Sequence, residues 1–182
     1  MLDTKKEYAI YRAADLARYD KKYSRLHGVF FSEQYFLQKF VLTLRRLEYL
    51  TNKKRNIINK IRYFFVLIAY RKLSFKLQIN LPVNTVGPGL RIYHIGFIIV
   101  HSNARLGSNC SLQPGVVIGQ KNDPESVPTI GNDVYFGPGA KAIGKIIIGN
   151  NVIIAPNSVV ISDVPDNCVV SGVPAKIIKH NM

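Results

Sequence analysis

The sequence of 182 residues predicts an α+β protein with an α-helical N-terminal region and a C-terminal parallel β-helix. The main observation is an apolar residue that returns at every sixth position from Val100 to Val160, with one doubled step after Ile118. A period of six fits neither an α-helix nor an ordinary strand, so the repeat itself is the structural unit. An ordinary β-sandwich would not keep this frame over so long a stretch. The repeat positions are Val100, Leu106, Leu112, Ile118, Ile130, Phe136, Ala142, Ile148, Ile154 and Val160.

Two further features of the repeat predict how the coils of the β-helix stack into a column. A small or apolar residue follows most repeat positions by four, as at Cys110 and Val134, and Gly often follows directly. Three repeats would form one triangular coil, with aliphatic side chains stacked inside from coil to coil. Gly and Asn, as in Gly131-Asn132, suit the corners because they tolerate positive φ.

Helical patterns occupy the region before residue 80. The pattern of residues 4–20 predicts a helix, and residues 23–31 are predicted to form a connection. A clearer helix begins after Ser32, a suitable N-cap, with Glu33 in the first turn where it complements the helix dipole. Its apolar face is predicted to carry Phe36, Phe40, Leu44 and Leu47, with Arg45 and Arg46 turned away.

A third helix is predicted from Lys53 to about Phe75. Its apolar face is expected to hold Ile57, Ile58, Ile61, Phe64, Phe65 and Ile68. Its other face carries Lys53, Lys54, Arg55, Lys60 and Arg62. The apolar run is too short to span a bilayer. Packing on the protein's own fold or on another subunit is favoured over contact with an anionic membrane surface.

Composition places a domain boundary near residue 80, giving a helical domain of residues 1–80 and a β-helix domain of residues 81–182. Residues 1–80 contain 18 Lys and Arg against 6 Asp and Glu, whereas the remainder contains 7 against 5. No nucleic-acid-binding signature accompanies this charge, so nucleic acid is not expected as a partner. The N-terminus lacks the pattern of a signal peptide, and we expect a cytoplasmic protein. The two cysteines form neither a disulfide framework nor a metal spacing.

From Leu81 to Lys176 the sequence resembles the left-handed β-helix acyltransferases. The likeness rests on residues 86–94 (VGPGLRIYH), 137–141 (GPGAK) and 172–176 (GVPAK), together with the hexapeptides. It extends most clearly to the serine acetyltransferase branch and to similar O-acetyltransferases of surface-polysaccharide pathways. The resemblance implies acetyl-CoA as co-substrate and no metal.

The resemblance identifies His94 with the family's catalytic histidine. Imidazole can also take a proton from an attacking hydroxyl at neutral pH, which supports the same role on chemical grounds. Two residues with which the family binds serine are replaced in this sequence. Tyr93 stands in place of an aspartate, and Val127 stands in place of a second histidine. The aspartate that orients the catalytic histidine aligns near Ile79, so a backbone carbonyl, Asn80 or Asn84 is expected to take over that role.

The resemblance also implies where coenzyme A lies. Small residues along one wall would let the pantetheine arm approach the backbone, and lysines would meet the phosphates. These cofactor-binding residues are Gly119, Gly137, Gly139, Ala140, Lys141, Ala155, Ser158 and Lys176. The segment 119–129 breaks the repeat frame and is expected to leave the column as a loop.

These observations predict an acetyl-CoA-dependent O-acetyltransferase that acts as a homotrimer, since the family's sites lie between columns. The expected acceptor is a sugar hydroxyl of a surface polysaccharide, because Tyr93 and Val127 suit a pyranose better than a zwitterion. Serine O-acetylation in cysteine synthesis and a non-catalytic assembly module are the alternatives. A metal-dependent hydratase ranks last, because only His94 and His101 lie in the column. Peripheral membrane contact through the basic helical region remains open.

Overall fold

The computed structural model describes residues 2–19, 23–53 and 56–180, and within them helices precede the strands of a parallel β-helix, as predicted. The helices are α1 (Lys5–Ala17), α2 (Arg25–Val29), α3 (Glu33–Asn52) and α4 (Ile57–Leu77). The strands are β1 (Ile79–Asn80), β2 (Arg91–Ile92), β3 (Ile98–Val100), β4 (Arg105–Leu106), β5 (Ser111–Leu112), β6 (Val117–Gly119), β7 (Thr129–Ile130), β8 (Tyr135–Phe136), β9 (Lys141–Ile143), β10 (Ile147–Ile148), β11 (Ile153–Ile154), β12 (Val159–Val160), β13 (Cys168–Gly172) and β14 (Ala175–His180).

Side chains at the helix ends explain where two helices begin. The Thr4 hydroxyl accepts a hydrogen bond from the Glu7 amide at 3.1 Å, and the Glu7 carboxylate accepts one from the Thr4 amide, which starts α1. The Asn56 side chain accepts from the Asn59 amide at 2.8 Å and starts α4. A left-handed residue, Gln78, with φ of 58°, follows the end of α4.

The sequence prediction placed the helix boundaries less well than the helices themselves. The predicted start of the third helix at Lys53 is wrong, since α4 begins at Ile57. Lys54 and Arg55, assigned to that helix, lie outside the described residues. The predicted connection over residues 23–31 contains α2, because the His27 ring caps the Ser24 amide at 3.2 Å.

The strands wind into a column with three parallel sheets. The first sheet contains β1, β3, β6, β9 and β12, the second β4, β7 and β10, and the third β2, β5, β8, β11 and β13. The final strand, β14, returns antiparallel to β13. The chain passes through the first, second and third sheets in turn, so each corner stacks directly on the equivalent corner of the next coil.

The interior of the column is filled by the predicted repeat residues. All ten repeat positions are at most 5% exposed, and the second set, including Cys110, Val134 and Ser158, is buried with them. The inward frame predicted from the six-residue period is therefore confirmed. The column thus buries one continuous core through contacts between neighbouring coils.

One corner of the column carries a ladder of side-chain amides and carboxylates. Asn132 Oδ1 accepts from the Ser108 amide, Asn150 Oδ1 from the Asn132 amide, and Asp166 Oδ1 from the Asn150 amide, at 2.7 to 2.8 Å. Each rung joins one coil to the next and satisfies a backbone donor at the turn.

A buried ion cluster fastens the helices to the first coil. Arg45 of α3 donates to Asp15 of α1 at 2.8 Å and to Glu48 at 2.9 Å. It also donates to the carbonyl oxygens of Val86 and Gly87 at 2.8 and 2.6 Å. The Arg45 side chain is fully buried. Two carboxylates compensate its charge, and its guanidinium is hydrogen-bonded to the column.

The prediction that Arg45 and Arg46 both turn away from the core is therefore wrong for Arg45. The helical pattern places Arg45 on the polar side of α3, and a buried position is not expected because Arg is seldom buried. The carboxylates of Asp15 and Glu48 make its burial possible, whereas Arg46 is exposed as predicted.

The orientation of α4 also differs from the prediction. Its inward face holds Asn59, Val66, Leu73 and Leu77, all at most 8% exposed. The predicted packing face is instead turned outward, with Ile57, Ile58, Ile61, Phe64 and Phe65 each more than half exposed. Apolar residues occupy both sides of α4, so periodicity alone cannot select the buried one. No helix within the described ranges is long and apolar enough to cross a membrane.

Candidate active site

His94 lies two residues beyond β2, at the corner where the chain turns from the third sheet into the first. Its side chain is 59% exposed. A separate six-residue frame set by Val86 and Ile92, ahead of the one that begins at Val100, places His94 outward and agrees with this orientation. An outward imidazole contributes little to the stacked core and is accessible to a ligand.

The His94 ring is held by a carboxylate from the helical region. Oε2 of Glu33 lies 3.2 Å from His94 Nδ1, and Oε1 of the same carboxylate accepts the Ile95 amide at 2.7 Å. Glu33 is the first residue of α3, so the start of this helix is fixed against the corner that carries the histidine. Both carboxylate oxygens are used in this arrangement.

This contact decides which ring nitrogen of His94 carries the proton in the neutral state. An ionised carboxylate can only accept hydrogen bonds, so Nδ1 must be the N–H donor to Glu33. The lone pair then lies on Nε2, on the side of the ring away from Glu33. His94 is thereby presented as a base through Nε2.

Glu33 is a site residue that the sequence does not predict. Its position at the start of a helix indicates only that it complements the helix dipole, and Asn80, Asn84 or a backbone carbonyl is expected from the sequence to orient the histidine. Asn84 instead donates its amide to Glu48 at 2.8 Å, and its side chain pairs with Asn52. Glu33 and His94 are 61 positions apart, and no local sequence pattern links them.

The residue beside the histidine, Tyr93, belongs to an aromatic group on the third sheet. Its carbonyl accepts from Gln34 Nε2 at 2.8 Å, which adds a second bond between α3 and this corner. Its ring meets the edge of Tyr135 with centroids 6.2 Å apart, and the Arg91 guanidinium lies 5.1 Å from the Tyr93 centroid. Gln113 donates to the Tyr135 hydroxyl at 3.1 Å.

Most of the predicted wall for coenzyme A lies on the same edge of the column as His94. This third-to-first edge consists of residues 93–97, 113–116, 137–140 and 155–158, one corner from each of four successive coils. Coils are spaced by about 4.8 Å, so the edge extends about 14 Å from the His94 corner. Gly137, Gly139, Ala140, Ala155 and Ser158 all lie on it.

Close stacking explains the small residues on this edge. A Cβ atom at Gly139 would lie 2.2 Å from the Asn157 side chain, and one at Gly115 would lie 2.9 Å from Gly139. The backbone amides are also already used, since Gly137 donates to Ile154 and Gly139 donates to Pro114. The expected approach of a ligand to free amides is therefore not available at these two glycines.

Ala140 and Ser158 point into the column, where Ser158 Oγ accepts from the Gly172 amide at 3.1 Å. The side chains of these two residues are therefore not ligand contacts. Gly119 ends β6 on the first sheet and leads to the next edge. Lys141 Nζ donates to the Gly139 carbonyl at 2.8 Å, whereas Lys176 is exposed on β14.

Val127 lies on a different edge from His94. The segment between β6 and β7 leaves the column as an exposed loop, as predicted, at the first-to-second edge. Asn103 fastens it by donating to the Pro124 carbonyl at 3.0 Å and to Glu125 at 2.9 Å. Within one chain, the structure does not bring Val127 together with Tyr93 and His94.

His101 lies on the same edge as the loop and has a structural contact. Its Nδ1 accepts the Asn103 amide at 3.1 Å. Over residues 2–19, 23–53 and 56–180, no three His, Cys, Asp or Glu side chains form a group that could hold a metal ion.

Comparison with known proteins places this geometry among transferases. Residues 128–162 match the family described as bacterial transferase hexapeptide (six repeats). Serine acetyltransferase of Helicobacter pylori strain J99 is 34% identical over 125 residues, covering 66% of this chain and 73% of that protein. Serine acetyltransferase of Synechococcus elongatus is 38% identical over 99 residues, covering 53% of this chain but only 41% of that protein.

Solved structures show a similar arrangement over almost the whole chain. Serine acetyltransferase from Brucella abortus strain S19 aligns with a TM-score of 0.75 and 29% identity, covering 98% of this chain and 71% of that one. The same enzyme in complex with coenzyme A aligns with a TM-score of 0.70 and 28% identity, covering 96% and 67%. The alignment includes the helices as well as the column.

Proposed function

We propose that this chain, which belongs to the serine acetyltransferase family of hexapeptide-repeat transferases, moves the acetyl group of acetyl-CoA to a hydroxyl group with His94 as general base. The family membership confirms the predicted resemblance and the left-handed hand of the β-helix. The observation that carries the proposal is the His94–Glu33 pair at one end of the third-to-first edge.

In the proposed reaction His94 Nε2 takes the proton of the acceptor hydroxyl as its oxygen attacks the thioester carbon. Glu33 holds Nδ1–H and stabilises the positive charge that the ring then carries. The tetrahedral intermediate collapses with cleavage of the C–S bond, and the sulfur leaves with the proton from His94. The products are the acetyl ester and free coenzyme A, and no acyl-enzyme forms.

The position of coenzyme A follows from the edge on which His94 lies. From His94 the corners of three further coils, which carry the small residues Gly115, Gly139 and Ala155, follow this edge towards Lys141 and β14. We treat these corners as one strip. We assign this strip to the pantetheine arm and Lys176 to the phosphates. The fold shared with a relative solved in complex with coenzyme A supports the assignment.

The separation of the proposed site residues supports a trimer. His94 and Tyr93 lie on the third-to-first edge, whereas Val127 and its loop lie on the first-to-second edge of the same column. One chain therefore cannot place both groups around one acceptor, but columns packed about a three-fold axis can. Light scattering should give the mass of a trimer, and a fully active monomer would contradict this.

The acceptor proposed first is serine, because the relatives that match the chain are serine acetyltransferases. The sugar hydroxyl preferred from the sequence has less support from these relatives. It stays a second candidate because of one observation, the edge-to-face pair of Tyr93 and Tyr135 next to His94. Aromatic rings of this kind pack against the C–H face of a pyranose.

Turnover of acetyl-CoA distinguishes these candidates. Release of coenzyme A should be measured with serine, with nucleotide sugars and with oligosaccharides as acceptors. A kcat/KM for serine of about 10⁴ M⁻¹s⁻¹ or higher supports the first candidate. Turnover restricted to a sugar, with loss in Tyr93→Ala, supports the second. No turnover with any acceptor, together with no binding of coenzyme A, would favour the assembly module.

A further inference from the structure

We propose that α4 binds the surface of an anionic membrane through its outer face, defined as the exposed side chains of residues 57–76 opposite the side that packs against α3. The most exposed apolar residues on it are Ile57 at 71%, Phe65 at 64%, Phe64 at 58% and Phe75 at 90%. Apolar side chains this exposed, in one continuous row, normally mark a contact surface.

The helical geometry separates two faces of α4. At about 100° per residue, Ile57, Ile61, Phe64 and Phe75 lie within about 60° of one another. The buried residues, among them Val66, lie on the opposite side and pack against α3. The apolar row thus faces away from α3, and at its C-terminal end Phe75 lines an open groove with Phe97 and Ile99 of the column.

Basic residues line both sides of the apolar row. Lys60 and Arg71 lie on one side, and Arg62, Lys72 and Lys76 lie on the other. The helix contains no Asp or Glu. An apolar row flanked by cations allows a helix to lie in a membrane interface, with rings among the acyl chains and cations at the lipid phosphates.

Two more exposed rings extend the apolar surface at the C-terminal end of α4. Phe30 and Phe31 are 77% and 79% exposed, and Lys76 Nζ lies 5.7 Å from the Phe31 ring. Phe31 has φ of 53°, an unfavourable region for a bulky residue. This conformation ends α2, where the Phe31 amide donates to the Gly28 carbonyl and the Ser32 amide donates to the His27 carbonyl, and it leaves the Phe31 ring turned to solvent. In the proposed contact this ring would lie among the acyl chains.

The positive charge of the outer face favours a membrane over a second copy of the chain as its binding partner. A two-fold contact of this face with itself would bring the cations around one row against those around the other, and like charges oppose association. An anionic lipid surface supplies the opposite charge over the whole length of the helix. Because α4 is not long and apolar enough to span a bilayer, it would lie along the surface.

The test uses the full chain and sedimentation with vesicles. Binding is expected to vesicles of phosphatidylcholine mixed with phosphatidylglycerol, and not to phosphatidylcholine alone. It should weaken as salt is raised, because the electrostatic part is screened. Equal binding to both vesicle types, or binding to neither, would overturn the proposal.

Two variants separate the apolar and basic contributions. Ile61→Gln with Phe64→Gln should abolish vesicle binding, and Lys72→Gln with Lys76→Gln should weaken it by about tenfold or more. The matched control is Ile10→Gln, which replaces a 51% exposed isoleucine on α1 and should bind like the unaltered chain. An equal loss in the control would contradict the assignment to α4.

Oligomeric mass and turnover give independent readouts. The Ile61→Gln and Phe64→Gln variant should keep its mass by light scattering and its turnover of acetyl-CoA with a soluble acceptor. A fall in mass would show that the outer face is a subunit contact, and it would overturn the membrane proposal without bearing on the proposed chemistry.

Discussion

Nδ1 of His94 lies 3.2 Å from a carboxylate oxygen of Glu33, although the two residues are 61 positions apart. The helical region therefore supplies the residue that orients the proposed base. The second oxygen of Glu33 holds the Ile95 amide, so one carboxylate fixes both the ring and the corner that carries it.

Glu33→Gln should lower kcat by about tenfold to a hundredfold and leave the KM for acetyl-CoA nearly unchanged. The amide keeps the shape but cannot stabilise the charged ring as the carboxylate does. Steady-state kinetics with acetyl-CoA as the varied substrate measures the two constants.

A double-mutant comparison shows whether Glu33 acts through His94. Glu33→Gln should have little further effect on turnover in a His94→Ala background, because its partner is already absent. Equal losses in both backgrounds would assign Glu33 a role independent of the histidine.

Arg45→Met should lower the free energy of unfolding by about 3 to 5 kcal/mol, because Asp15 and Glu48 would be left buried without their cation. Urea denaturation measures the change. The control is Arg46→Met, which alters the adjacent exposed arginine and should shift stability by no more than about 0.5 kcal/mol. Similar losses in the two variants would show that the buried cluster has no special contribution.

Burial raises the pKa of the Cys110 thiol to about 11. The unfolded chain ionises this thiol near its ordinary pKa of about 8.5, so the stability contributed by the neutral thiol is lost as pH rises from there through the folded value. In the Cys110→Ala variant the free energy of unfolding should therefore fall less steeply at alkaline pH. Over this range the decrease should be smaller by about 3 kcal/mol than in the unaltered protein. Unfolding free energies at neutral and alkaline pH measure it, and identical slopes would contradict the assignment.

Lys176→Gln should raise the KM for acetyl-CoA by about fivefold, the scale of one exposed ion pair, with kcat unchanged. Lys179→Gln removes an exposed lysine from the same strand and should have no comparable effect. A rise of the same size in both variants would indicate a diffuse charge effect instead of a phosphate contact.

The column could be predicted because a six-residue period has one simple structural solution. Once Val100 is placed inside, every later repeat residue follows, including Ile118, Phe136 and Ile154. The outward position of His94 follows from the frame of Val86 and Ile92, whereas the frame that begins at Val100, projected back by six residues, would place His94 inside.

Contacts between the helices and the column could not be predicted in the same way. The Arg45 cluster and the Glu33–His94 pair depend on how α3 docks, and no local period encodes that docking. The orientation of α4 was missed for another reason: apolar residues such as Phe64 and Val66 lie on both of its sides.

Acetyl-CoA turnover by a His94→Ala variant tests the central claim most directly. We expect turnover to fall by about a hundredfold or more, the usual scale for a general base. Because His94 is exposed and packs little in the core, the variant should keep the circular dichroism spectrum and the mass of the unaltered protein. Near-normal turnover in a variant that keeps both would contradict the assignment of His94 as the catalytic base.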